Sequence, residues 1–109
     1  MAITSTQSKA PASVNNVAVG AYLDTGTAAA FTITTGFRPR YVRVINEGSG
    51  DREEWFEGMA DAEALKIVAG NAAAMITSNG ITPNDTGFQV GLDTDINVTS
   101  EQLSWIAIG

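Results

Sequence analysis

The sequence predicts an all-β protein: an antiparallel, jelly-roll-like β-sandwich of about eight short strands, preceded by an extended N-terminal arm. Apolar and polar residues alternate over 88–92 and again over 103–107, which is the period of a half-buried strand. Turn-forming residues interrupt the chain about every ten residues, as in sandwiches and small barrels. The dipeptide Asn79-Gly80 suits the tight turn of a β-hairpin.

The first sixteen residues are predicted to form the arm. They are mostly Ser, Thr, Ala, Asn and Gln with one proline. By itself, such a segment buries too little apolar surface to offset the conformational entropy lost on ordering. We therefore divide the chain into an arm, 1–16, and a sandwich domain, 17–109. The arm is expected to become ordered on another chain.

Four runs rich in β-branched and aromatic residues are predicted as the first strands: 17–23, 30–35, 41–46 and 54–59. Gly, Pro, Asp and Asn accumulate in the breaks between them, at 24–27, 36–39 and 47–50.

The segment 59–74 allows two interpretations. It is rich in alanine and other helix formers, which favours a helix ended by Gly70-Asn71. Leu65, Ile67 and Ala69 also alternate with their neighbours, as in a strand. The short intervals on both sides leave little room for a helix, so we favour strands at 64–69 and 73–77.

The last quarter of the chain is expected to close the fold. The apolar residues around Asn79-Gly80 fit a hairpin. The runs 87–92 and 102–108, separated by a turn-rich segment, are predicted to pair antiparallel. The second run would make the carboxyl end part of the core.

Composition excludes several kinds of chemistry. The chain has 109 residues, no cysteine and no histidine, so disulfides, thiolate nucleophiles and the commonest general base are impossible. We expect no enzymatic activity, no cofactor and no metal.

Net charge is −6, divided as +2 over 1–50 and −8 over 51–109, which argues against direct nucleic-acid binding. No apolar run approaches the roughly 20 residues of a membrane helix, and 1–16 does not resemble a secretory leader.

Two features of the sequence are candidate sites. Asp93-Thr-Asp-Ile-Asn97 begins like a calcium loop, but Val98 and Ser104 stand where that loop needs glycine and glutamate, so a turn capped by its own side chains is the better interpretation. Trp105 is in phase with the core residues of its strand. Trp55 lies among acidic residues, and is either a core residue or an exposed interface anchor.

Several short sequence patterns follow one another along the chain. They are GF-x-P at 36–39, W-x-x-G-M at 55–59, SNGI at 78–81, GF-x-x-G at 87–91, D-x-N at 95–97 and W-x-A at 105–107. Over 30–109 this order resembles small structural proteins of tailed bacteriophages. The resemblance implies a β-sandwich that assembles on virions, as a capsid decoration (cement) protein, a head fibre or part of a tail fibre. It transfers no active-site residue.

From the resemblance and the small size, we expect a capsid decoration protein on the virion exterior, made in the host cytoplasm. The expected partners are the major capsid protein and other copies of the chain, a trimer before a dimer. The alternative is a receptor- or carbohydrate-binding head of a tail fibre, in which Trp55, Tyr41 or Tyr22 stack on the ligand. The candidate interface residues are Ile3, Lys9, Pro11, Val14, Arg38, Arg40, Arg43 and Trp55. The three arginines form either a cationic patch or ion pairs with nearby acids.

Overall fold

The structure, a computed structural model, describes residues 16–23 and 25–109, and these contain nine β-strands. The strands are β1 (Val17–Tyr22), β2 (Phe31–Thr34), β3 (Tyr41–Asn46), β4 (Arg52–Phe56), β5 (Ala64–Ile67), β6 (Ala74–Ile76), β7 (Ile81–Asn84), β8 (Gly87–Val90) and β9 (Leu103–Ile108). They form a six-stranded sheet, in the order β1-β9-β3-β4-β5-β6, and a three-stranded sheet, β2-β8-β7. Every strand pair is antiparallel. The predicted all-β sandwich is confirmed.

One hydrophobic core lies between the two sheets. Leu103 and Ala107 are buried there, and Trp105 is half-buried with its ring edge-on to Phe88, at a centroid distance of 5.4 Å. The predicted alternation of β9 is therefore confirmed. The other buried apolar residues of this core are Ile33, Val42, Val44, Trp55, Ile81, Val90 and Ile96.

The carboxyl-terminal strand lies in the interior of the larger sheet, where β9 pairs with both β1 and β3. The prediction that the chain's end belongs to the core is thus confirmed. The predicted pairing of 87–92 with 102–108 is wrong, because β8 pairs with β2 and β7 in the other sheet. The connection over 91–102 is long enough to pass from one sheet to the other, and it buries Ile96 on the way.

The predicted hairpin at Asn79-Gly80 is also wrong. Asn79 does adopt a positive φ of 59°, yet β6 and β7 belong to different sheets. The Gly80 N–H donates to the carbonyl of Ala62, at 2.9 Å. A Cβ on Gly80 would lie 2.5 Å from the Glu63 carbonyl oxygen, so glycine permits a close backbone approach here.

Within 59–74 the strand interpretation is confirmed, because β5 and β6 both belong to the larger sheet. Ala62 has a positive φ of 66°, which a continuous right-handed helix cannot contain. The strand β7 is missing from the predicted strands, because it contains Pro83 and proline usually interrupts a strand. That strand lies at the edge of the smaller sheet, where a missing N–H donor is tolerated.

Candidate functional site

The face of the larger sheet that points away from the core, called the outer face below, is largely apolar. It carries alternate residues of six strands, aligned in three rows across the sheet. The rows are Val17, Ile108, Tyr41, Phe56; then Val19, Ile106, Arg43, Glu54, Leu65, Met75; and then Ala21, Ser104, Ile45, Arg52, Ile67. Eleven of these fifteen residues are aliphatic or aromatic, whereas a solvated sheet face is normally polar.

Several of these apolar side chains are open to solvent. The exposed fraction is 71% for Val19, 55% for Val17, 52% for Met75 and 45% for Phe56. Water-exposed apolar surface that extends over neighbouring residues usually marks an interaction site. The outer face is therefore the candidate functional site of this chain.

Charged residues occupy the centre of the outer face. Arg43 on β3 is the register partner of Glu54 on β4, and these are the third and fourth of the six strands. Tyr41 Oη donates a hydrogen bond to Glu54 Oε2, at 2.8 Å. Burial, reinforced by this hydrogen bond, raises the pKa of Tyr41, so its hydroxyl remains a donor to the carboxylate. Arg43 also lines a shallow depression with Ile45 and Ile106.

The edge strand β1 of the larger sheet lacks the residues that usually prevent pairing with another strand. Its sequence, VAVGAY, contains neither charge nor proline, although exposed edge strands usually carry such residues to prevent unwanted pairing. No other strand of the described residues pairs with the free side of β1. The opposite edge, β6, is only three residues long.

The three arginines of the predicted cluster lie in different surroundings. Arg38 forms an exposed ion pair with Asp85, at 3.2 Å, as the ion-pair interpretation predicts. Arg40 Nη2 donates to the Gly109 carbonyl at 3.0 Å. Arg43 lies apart from both, on the outer face.

The root of the predicted arm is at the same end of the molecule as Arg40. The Gly109 N–H donates to the carbonyl of Asn16 at 2.8 Å, so the described chain starts beside its carboxyl end. The other predicted arm contacts, Ile3, Lys9, Pro11 and Val14, lie outside the described residues.

The interpretation of Trp55 as an exposed anchor is wrong. Its side chain is 4% exposed and belongs to the core, and its Nε1 donates to the Ala60 carbonyl at 3.1 Å. The acidic neighbours in the sequence gave a false signal, because alternation along β4 sends Glu54 outward while Glu53 and Trp55 point inward.

Glu53 is a buried acid on the inner face of the larger sheet. It is fully buried, and neither carboxyl oxygen has a hydrogen-bond partner among the described residues. Burial raises its pKa to about 8, with a further rise from the Asp93 carboxylate and a smaller opposing effect of Lys66. Glu53 is therefore predominantly protonated at neutral pH.

Two acids of the turn-rich segment after β8 hold the ammonium group of Lys66, which lies on β5. Lys66 Nζ lies 2.9 Å from an Asp93 carboxylate oxygen and 2.6 Å from Asp95 Oδ2. Burial lowers the pKa of Lys66, but the hydrogen bonds to Asp95 and Asp93 outweigh it and raise that pKa. Asp93 Oδ1 also accepts the Asp95 N–H at 2.9 Å, which confirms the self-capped turn. The part of the chain that the structure describes holds no cluster of three or more His, Cys, Asp or Glu suited to a metal ion.

Sequence reasoning missed the outer face. A signal was present in β9, where Ile106 and Ile108 interleave with the core residues and leave both faces apolar. Residues 16–23 and 25–109 include no helix of the length and hydropathy needed to cross a membrane.

Comparisons with family models, curated proteins and solved structures give no match for this chain.

Proposed function

We propose that this chain is a non-enzymatic virion protein, a capsid decoration (cement) protein that stabilises the shell from its exterior after synthesis in the host cytoplasm. The observation that carries the proposal is the outer face, with eleven apolar positions of fifteen and four large apolar side chains between 45% and 71% exposed. A protein that acts by adhesion requires such a surface, and one that acts alone in solution is penalised by it.

The start of the described chain supports a role for the arm. Residues 1–15 join the domain at Asn16, directly before the edge strand β1. Fifteen extended residues span up to about 50 Å, enough to lie across a neighbouring subunit. Ile3 and Val14 would supply apolar contacts, Lys9 a charge and Pro11 a stiff extended segment. Folding of a polar arm on a partner costs free energy but extends the contact area.

The charge distribution suits a shell with a basic rim. Net charge is −6, and a complementary surface on the major capsid protein would speed encounter and orient the subunit. Repeated symmetric contacts would then give avidity without a tight single site. Self-association belongs to the same proposal, because copies that contact one another hold neighbouring capsid subunits together.

Particle binding by an arm-deleted chain tests this function. Deleting residues 2–15, which keeps the Asn16 carbonyl that accepts the Gly109 N–H, should abolish co-sedimentation with purified particles and leave the melting temperature of the domain nearly unchanged. The matched control keeps the arm at full length with its residues in shuffled order, which should also fail to bind. Mass spectrometry of intact particles should give on the order of hundreds of copies per particle, as expected for a symmetric shell. Particle binding that survives the deletion would contradict the arm mechanism.

A receptor- or carbohydrate-binding head of a tail fibre is the second candidate. One observation favours it: the rings of Tyr41 and Phe56 lie side by side on the outer face, with centroids 5.1 Å apart, and paired exposed aromatics can stack on sugars. Trp55 cannot contribute, since it is buried, and Tyr22 stacks on Phe31. Glycan-array binding that is lost in Phe56→Ala, with a copy number of a few tens, would favour this candidate.

A further inference from the structure

We propose that the outer face binds a second copy of this chain, about a two-fold axis that runs between β3 and β4. The inference rests on the proposed function in assigning the outer face to assembly, and it adds the partner and the geometry. The two sheets would pack face to face, about 10 Å apart, as sheets do inside a sandwich.

The area of the outer face fits a weak, reversible dimer. Six strands spaced by about 4.8 Å span about 24 Å. Their lengths run from six residues in β1, β3 and β9 to three in β6, and the average length corresponds to about 17 Å. The flat face is therefore about 400 Å² per copy, or about 800 Å² for two copies, in the range of weak and reversible interfaces. Side chains that protrude from the sheet increase this area.

The charges at the centre of the face are self-complementary. Arg43 and Glu54 are register partners on β3 and β4, and these two strands are the middle pair of the sheet. A two-fold axis between them, parallel to the strands, places each Arg43 opposite Glu54 of the other copy. Two equivalent ion pairs result, as isologous contacts require. Arg43 Nε is buried without an acceptor among the described residues, and the second copy brings a carboxylate to it.

The periphery of the face fits the same axis. The rotation brings β1 of one copy opposite β6 of the other, so that Val19 meets Met75, two of the most exposed apolar side chains. Along the middle row, apolar side chains thus lie on both sides of the central ion pairs and shield them from water, as in many protein interfaces. Arg52, the remaining charge of the face, lies opposite Ile45 of the other copy.

Charge balance and composition favour a second copy over other occupants. The face holds Arg43 and Arg52 against Glu54, with Glu47 hydrogen-bonded beside it to Ser104, so it is neutral in a chain of net charge −6. Two such faces meet without repulsion. Residues 1–15 of the same chain are a poorer occupant of the outer face. They are mostly polar, with only Met1, Ile3 and Val14 as large apolar residues, and these are too few to cover its eleven apolar positions.

Sedimentation velocity of the full chain, from about 1 to 500 µM, tests the dimer. We expect a reversible monomer–dimer equilibrium, weakened at least about a hundredfold by Val19→Asp. Val19 is 71% exposed, so this variant should melt at the wild-type temperature. The matched control is Leu92→Asp, since Leu92 is similarly apolar and 42% exposed but lies outside the face. It should dimerise normally.

A charge-exchange experiment tests the geometry. Arg43→Glu places two carboxylates at the centre of the face, and Glu54→Arg places two guanidinium groups there. Each variant alone should be monomeric, and an equimolar mixture should form a heterodimer. A mixture that stays monomeric, with both variants folded by circular dichroism, would overturn the proposed axis.

The same samples separate this inference from the proposed function. A wild-type chain that remains monomeric at about 500 µM overturns the dimer, and if it still binds particles the proposed function stands. A chain that dimerises but does not bind particles supports the dimer and contradicts the decoration role. Equal loss of dimerisation in Val19→Asp and Leu92→Asp would also overturn the assignment to the outer face.

Discussion

Replacing Glu53 by glutamine should make the protein's stability less sensitive to pH. The folded carboxyl has a pKa of about 8 because it is buried beside the Asp93 carboxylate, against an ordinary value of 4.5. An acid whose pKa is raised by folding contributes its full stability below pH 4.5, where it is protonated in both states. That stability is lost progressively as the pH rises from 4.5 to about 8, because the unfolded chain releases the proton first.

The size of the effect follows from the two pKa values. A shift of one unit corresponds to about 1.4 kcal/mol, so the folded protein should lose about 4 kcal/mol of unfolding free energy from this group between pH 5 and pH 9. Total stability of a domain this size is about 5–15 kcal/mol, so the loss is a large fraction. The opposing effect of Lys66, which donates to Asp93 and Asp95, is smaller and is already included in the pKa of about 8.

Urea unfolding at a series of pH values measures this effect directly. Glu53→Gln and the wild type should have similar pH dependence below pH 4.5 and should diverge by about 4 kcal/mol between pH 5 and pH 9. The buried amide adds a constant offset, so the slope of the difference is the quantity to compare. Glu57→Gln removes an exposed carboxylate of the same region and should retain the wild-type slope. A flat difference for Glu53→Gln would refute the reasoning, since it would mean that the carboxyl titrates as it does in water.

Two further substitutions test the packing of the sandwich. Asn46→Ala should cost about 2–4 kcal/mol in urea unfolding, because Asn46 is fully buried and accepts the Gly48 N–H at 2.8 Å; a cost under 0.5 kcal/mol would contradict this role. Gly20→Val should cost about 1–3 kcal/mol, since even a Cβ there would lie 2.7 Å from the Trp105 ring. Ala21→Val, one residue along β1 and on the outer face, is its control and should be nearly neutral in thermal melts. Equal effects of these two valines would contradict the placement of Trp105.

The strands were more predictable than their partners. Alternation over 103–107 correctly identified which residues of β9 face the core, because period two follows from strand geometry alone. It could not identify the neighbouring strands, which depend on contacts distant in sequence. The Asn79-Gly80 dipeptide shows the same limit. Asn79 adopts the positive φ typical of a tight turn, but the strands on either side of that turn belong to different sheets.

The candidate site was less predictable than the fold. The cluster of acids around Trp55 suggested an exposed residue, yet a one-residue step along β4 separates buried Glu53 from outward Glu54. Glutamate is almost never fully buried without a partner. The burial of Glu53 could therefore be learned only from the structure. The outer face assembles from six strands spread over 17–108, and no local window of the sequence contains it.

The central claim is that the outer face is covered when the protein is assembled. Hydroxyl-radical footprinting of the full chain, read by mass spectrometry, tests it by comparing a dilute sample with a concentrated one and with isolated particles. Met75 and Phe56, 52% and 45% exposed in the free chain, should be oxidised several times more slowly in the assembled samples, while Leu92 reacts equally in all three. Equal oxidation of Met75 and Phe56 in every sample would contradict the account.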